Sequence, residues 1–180
     1  MADLHPVENR PPTRNRPRGP TRHHGPPRRH RTVPLTMLLP DVNVLVYAHR
    51  PAESDVASRV HDWLWSRTEM GDRLALSTSV LASVIRIATH PRILATPSTP
   101  REALRFTQAL VDDSQATVIV PSSRHWPIFR EFVEDLRLRG NDVPDGYLAA
   151  LAIDHGADFV TTDRGFRRFP GLRIVDPLAA

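Results

Sequence analysis

The chain contains no cysteine and no lysine. Without cysteine there are no disulfides, no Cys-based zinc sites and no thiol nucleophile. Without lysine there is no P-loop phosphate contact, no Schiff-base chemistry and no lysine of the kind a response-regulator receiver needs; all 24 basic side chains are arginine. No apolar run approaches the roughly 18 residues that span a bilayer, and the N-terminus lacks the apolar stretch of a signal peptide. The cytoplasm is the expected location. Also missing is any His-His or His-Glu pair at i, i+4 on a predicted helix, so His49, His90, His125 and His155 are read as structural, with His155-Gly156 suited to a helix C-terminus.

What is present is unevenly spread. Residues 1–36 hold eight of the 18 prolines and eight arginines against Asp3 and Glu8, a net charge of +6, whereas residues 37–180 hold 16 arginines against 18 acids, a net charge of −2. The first segment cannot bury enough apolar surface to offset the entropy of ordering. It reads as a disordered Arg/Pro-rich extension, either supplying nonspecific phosphate contacts or lying outside the translated protein, with Met37 as the start. The second reading is preferred because the apolar pattern begins abruptly at Met37. Residues 37–180 are long enough for one domain, and no internal repeat divides them.

Within that domain, strands and helices alternate. Leu38 to Tyr47 is almost continuously apolar apart from Asp41 and Asn43, which predicts a strand buried on both faces. A helix capped by Ser54 follows, carrying Trp63 and Trp65; one tryptophan is expected to face the core and the other an interface. A short strand at Leu74–Leu76 leads into a helix from Ser77 to Ala88, ended by His90-Pro91. Thr99-Pro100-Arg101-Glu102 is a capping box with proline at the first helical position, predicting a helix from Pro100 to about Val111. Thr117–Val120 is a third strand, and Trp126–Arg139 a helix stopped by Gly140. Pro144-Asp145 opens a further helix, and Phe159–Thr161 and Leu172–Val175 are the last two strands. The alternation predicts an α/β fold with a central parallel sheet of four to five strands flanked by helices. The strand order is not readable from these patterns.

Three aspartates stand at element boundaries: Asp41, Asp145 and Asp163. In a parallel α/β fold such positions meet at the carboxyl ends of the strands. Gathered carboxylates repel one another unless a cation lies among them, and oxygen ligands of this kind suit Mg²⁺ or Mn²⁺. Asp41, inside an apolar stretch, is costly to ionise unless paired or metal-bound. Asn43, two residues on, is expected on the same strand face as its orienting neighbour. Asp142 and Asn141 compete with Asp145, whose bland alternative is a first-turn acid favoured by the helix dipole. Asp163 doubles as a turn or N-cap residue. Thr161 and Thr162 either donate a hydroxyl or are plain strand residues, and the plainer reading is preferred.

From Met37 to about Leu178 the chain resembles PIN-domain proteins, specifically VapC-type ribonuclease toxins of toxin–antitoxin pairs. The matching stretches are Asp41-Val42-Asn43-Val44-Leu45-Val46-Tyr47-Ala48, Arg86-Ile87-Ala88-Thr89-His90-Pro91-Arg92, and the run from Gly140 through Asp145 to Ala157 and on through Thr161-Thr162-Asp163-Arg164-Gly165-Phe166. The resemblance implies a PIN fold, a Mg²⁺- or Mn²⁺-dependent endoribonuclease acting on RNA, homodimerisation, and inhibition by a small VapB-type antitoxin. Asp41, Asp145 and Asp163 match the first, third and fourth acids of the family's cluster. The second, usually a Glu on the helix after the second strand, falls at Leu81 when the chain is aligned on Arg86 and Pro91, so one carboxylate is missing. Asp41 and Asp163 are expected to coordinate the ion directly, and Asp145 directly or through water. Arg86 and Arg164 are candidates for gripping the RNA backbone. Two other readings compete: a catalytically weak PIN module that binds RNA or a protein, and a phosphatase of the haloacid-dehalogenase type, which needs an aspartate where Asn43 stands.

Overall fold

The computed structural model describes residues 35–179. The extension expected over residues 1–36 lies outside them except for its last two residues. Thr36 already belongs to the folded unit: its carbonyl accepts from the Arg73 N–H at 2.9 Å, and its N–H donates to the Asp72 carboxylate at 2.9 Å.

Five strands form one parallel sheet: β1 (Met37–Pro40), β2 (Arg73–Ser77), β3 (Ala116–Ile119), β4 (Asp158–Val160) and β5 (Ile174–Val175), in the order β3-β2-β1-β4-β5. Among the described residues there are six α-helices: α1 (Val42–His49), α2 (Asp55–Glu69), α3 (Thr78–Ala88), α4 (Pro100–Asp112), α5 (His125–Asp135) and α6 (Asp142–His155). From β1 the chain steps outward through β2 to β3, then crosses back to place β4 on the other flank of β1. The winding therefore reverses between β1 and β4, the kind of place where open parallel sheets leave a crevice at the carboxyl ends of the strands.

The core is the two-sided burial of the sheet. Leu38, Leu39, Leu74, Leu76, Phe159 and Val160 are almost wholly hidden, and Val44, Leu45, Val60, Leu64, Val84 and Leu151 close over them from the helices. Ser54 caps α2 by accepting from the Ala57 N–H at 3.1 Å, and the Thr99–Glu102 capping box opens α4 as its sequence predicts.

Two elements differ from expectation. The apolar stretch beginning at Leu38 is a strand only to Pro40; Asp41 is the N-cap of α1, its carboxylate accepting from the Val42 N–H, and Val44, Leu45 and Ala48 are buried at helical spacing. The β-branched valines favour a strand, but periodicity cannot separate a buried strand from a buried helix, and the capping carboxylate decides. Helix α5 stops at Asp135 rather than near Gly140. Arg137 takes a left-handed conformation (φ 52°), the Leu138 N–H bonds back to the Val133 carbonyl at 3.2 Å, and the Leu138 side chain turns into the core. This is a Schellman closure with arginine at the position that usually favours glycine.

Candidate active site

A cleft of about 530 Å³ opens at the carboxyl ends of the strands, and Asp41, Asp145 and Asp163 all line it. They come from three separate places: the β1–α1 junction, the first turn of α6, and the segment leaving β4. Asn43, Asn141, Ser79, Ser83 and Arg86 contribute further polar lining, and Phe129, Tyr147 and Phe166 form an apolar wall.

Asp41 is 6% exposed. Its Oδ1 accepts from the Val42 N–H at 2.7 Å and its Oδ2 from the Thr161 hydroxyl at 2.9 Å. The Thr161 oxygen in turn accepts the Asp163 N–H at 3.0 Å, so one buried hydroxyl ties two of the three acids together. The backbone reinforces the junction, with the Asp41 N–H donating to the Val160 carbonyl at 2.8 Å. Burial pushes the Asp41 carboxyl up to about 6, the charges of Asp145 and Asp163 add to the rise, and the bonds from Thr161 and Val42 oppose it. Asp163 is exposed and caps the 3₁₀ turn Arg164–Arg168, its Oδ1 accepting from the Gly165 N–H at 2.7 Å.

Asp145 is half-buried at the head of α6. Burial raises its pKa; the neighbouring Arg168 guanidinium works against that rise, while the charges of Asp163 and Asp142 add to it. Arg168 places Nη1 and Nη2 each 3.1 Å from Oδ1 of Asp142 and Nη2 3.2 Å from Oδ2 of Asp145. Of these two acids, only Asp145 lines the cleft.

These donors fit a hard divalent cation by their chemistry: three carboxylates share one cleft, and the most buried of them has its proton affinity raised by burial and by its neighbours' charges. Among the described residues, no three Asp, Glu or His side chains form a ready-made ligand cage. The acids share a cleft, not a preassembled coordination sphere.

Several site residues differ from expectation. Asn43 does not share a strand face with Asp41; it sits exposed on the first turn of α1, where it lines the cleft. The side chain that orients Asp41 is Thr161, so its hydroxyl serves the site and is not that of a plain strand residue. Leu81 belongs to the core, and the face of α3 turned to the acids carries Ser79, Ser83 and Arg86. On this helix Ser83, not Leu81, lines the cleft that the acids share. Arg86 reaches the cleft and has no ion-pair partner among the described residues, whereas Arg164 is exposed and does not line the cleft.

Arg168 escaped the sequence reading because nothing in Arg167-Arg168 tells which guanidinium turns toward α6. The four histidines bond within the protein: His125 to the Tyr147 carbonyl at 3.0 Å, His155 to the Val120 carbonyl at 2.8 Å, His49 to the Ser98 hydroxyl at 3.0 Å, and His90 to the Arg92 N–H at 3.1 Å. Trp63 and Trp65 both pack half-buried against the core, and the outward-facing tryptophan is Trp126, 65% exposed.

Residues 38–172 match the family model for the PIN domain. The chain belongs to the PIN-domain family. Its PIN domain is 41% identical over 143 residues to ribonuclease VapC43 of Mycobacterium tuberculosis, spanning 79% of this chain and 96% of that protein. It is 33% identical over 141 residues to ribonuclease VapC31 of the same organism, spanning 78% of this chain and 99% of that one. The fold also matches a chain of VapBC2 from Rickettsia felis bound to a promoter DNA fragment, with a TM-score of 0.59 and 19% identity over 78% of this chain and 98% of that one. A chain of VapBC-1 from nontypeable Haemophilus influenzae gives a TM-score of 0.58 and 17% identity, covering 79% and 98%. The resemblance to VapC-type PIN proteins thus holds, and the haloacid-dehalogenase reading is set aside.

Proposed function

We propose that this chain is the toxin ribonuclease of a type II toxin–antitoxin pair, a Mg²⁺- or Mn²⁺-dependent endoribonuclease that hydrolyses RNA phosphodiesters. The observation that carries the reading is the meeting of Asp41, Asp145 and Asp163 in one cleft at the reversal point of the sheet. Relatives named as ribonucleases at 41% and 33% identity support the activity, and the fold shared with VapBC chains supports a VapB-type antitoxin as partner. The protein acts in the cytoplasm as a homodimer. Residues 37–180 are the catalytic PIN domain, and residues 1–36 are an extension to it. No described helix is long and apolar enough to cross a membrane.

Asp41 and Asp163 would hold the ion directly, and Asp145 directly or through water. When bound, the ion supplies an acidified water for in-line attack and neutralises charge on the phosphate oxygens. Thr161 orients the Asp41 carboxylate and anchors the backbone of Asp163, while the Gly165 N–H holds the Asp163 carboxylate. Arg86, which lines the cleft, offers a planar fork for the RNA backbone; Arg164, outside the cleft, is left for flanking phosphates.

The test is cleavage of total RNA by the full chain with Mn²⁺ or Mg²⁺, against EDTA, beside Asp145→Asn. Metal-dependent cutting by the parent and none by the variant is the expected result. Folded protein that cuts no RNA class with either metal sinks the nuclease reading and favours the second one, a PIN module that binds RNA or a protein. That reading draws on Ser83, which brings no carboxylate to the wall facing the acids.

A further inference from the structure

We propose that Arg168 is a built-in counter-cation of the acidic cleft, one that competes with the divalent ion for Asp145. The inference rests on the metal-dependent reading above. Three observations carry it. The guanidinium bridges two carboxylates one turn apart on α6, bonding twice to Asp142 at 3.1 Å and once to Asp145 at 3.2 Å. Its position is fixed from below, because the guanidinium lies 5.0 Å from the ring of Phe169, which is itself buried against Phe132 and Phe166. The 3₁₀ turn that ends in Arg168 also begins at Asp163, so a single short element brings one cleft acid and the cation that occupies another.

The bonding is asymmetric. Asp142, which does not line the cleft, holds Arg168 through two of the three contacts; Asp145, which does, holds it through one. An ion arriving at Asp145 displaces a single hydrogen bond while Arg168 stays anchored on Asp142. The cost of admitting the ion is therefore that of one partly exposed ion pair. Such pairs are worth a fraction of a kcal/mol to about 1 kcal/mol, which corresponds to a change in affinity of up to about fivefold. Asp142 acts as the resting place of the guanidinium, and Arg168 keeps the acids from repelling one another when no ion is bound.

The test is calorimetric titration of the full chain with Mn²⁺, comparing the parent with Arg168→Gln, Arg168→Lys and Arg167→Gln. Arg167 is exposed on the same 3₁₀ turn and has no bond to either acid among the described residues, so its loss removes the same charge without the contact. Arg168→Gln is expected to bind Mn²⁺ about twofold to fivefold more tightly than the parent, with Arg167→Gln falling well short of that and Arg168→Lys between. Equal affinities for Arg168→Gln and Arg167→Gln would overturn the inference and leave the nuclease reading standing. Failure of every variant, the parent included, to bind Mn²⁺ would overturn both. Circular dichroism melts accompany the titrations; if Arg168→Gln does not fold, the decision passes to Arg168→Lys, whose affinity must exceed the parent's.

Discussion

Asp41 is placed where a carboxylate is useful to an ion and expensive to the fold. Its carboxyl is pushed up to about 6 from 3.8, chiefly by burial, so the folded chain binds this proton more tightly than the unfolded one. By linkage the associated stability is fully present below about pH 3.8 and is lost as pH rises through about 6, amounting to about 3 kcal/mol across that window. In chelator, Asp41→Asn is therefore expected to melt at a higher temperature than the parent at pH 7.5 and at nearly the same temperature at pH 4. An Asn there still accepts from Val42 and meets Thr161. A melting difference that does not change with pH would contradict the burial argument. Asp41, Asp145 and Asp163 were legible as acids at element ends. Thr161 was legible only as a possible hydroxyl donor and not as the partner of Asp41, because Asp41 is 120 residues away and the bond exists only once β1 and β4 lie side by side.

At the level of elements, the site depends on how closely α5 packs on α6. Gly146 follows Asp145 directly, and a Cβ built there would stand 2.4 Å from Leu138 Cδ1, 3.6 Å from Phe169 and 3.7 Å from Phe129. The contact is this tight because Arg137 closes α5 early and turns Leu138 inward onto Gly146. Gly146→Val should overpack the contact, lowering stability by about 1–3 kcal/mol in urea unfolding, and should reduce RNA cleavage by shifting Asp145. Unchanged stability would mean that Leu138 swings aside freely. The capping signals at Ser54 and Thr99 were readable because a cap is a local event, decided within three or four residues. The end of α5 was misread because the residue that takes the left-handed turn is an arginine, with Gly140 three residues further on. Likewise, the first strand was overextended because the Asp41 cap was hidden in a run of valines.

For the molecule as a whole, a cation held by the folded cleft and not by the unfolded chain must stabilise the fold by mass action. Mn²⁺ at about 100 times its dissociation constant is expected to add about 2.7 kcal/mol, read as a rise in melting temperature that EDTA reverses. Asp41→Asn should show a much smaller rise. A parent melting temperature indifferent to Mn²⁺ would argue against a cation site in the cleft. The reversal of winding beside β1 makes this a property of the whole sheet, since β1 and β4 are brought together only by the crossover from β3.

By itself, the sequence determined the fold class, the helix starts at Ser54 and Thr99 and the three acids, because alternating apolar segments, local caps and carboxylates at element ends are written in neighbouring residues. The tertiary structure alone decided the strand order, the orienting hydroxyl of Thr161, the turn of Ser83 rather than Leu81 toward the cleft, and the grip of Arg168 on Asp142 and Asp145. Each of these is a contact between distant segments. Such contacts follow from which faces the core buries, and that choice is made by the folded molecule, not by any local stretch of chain.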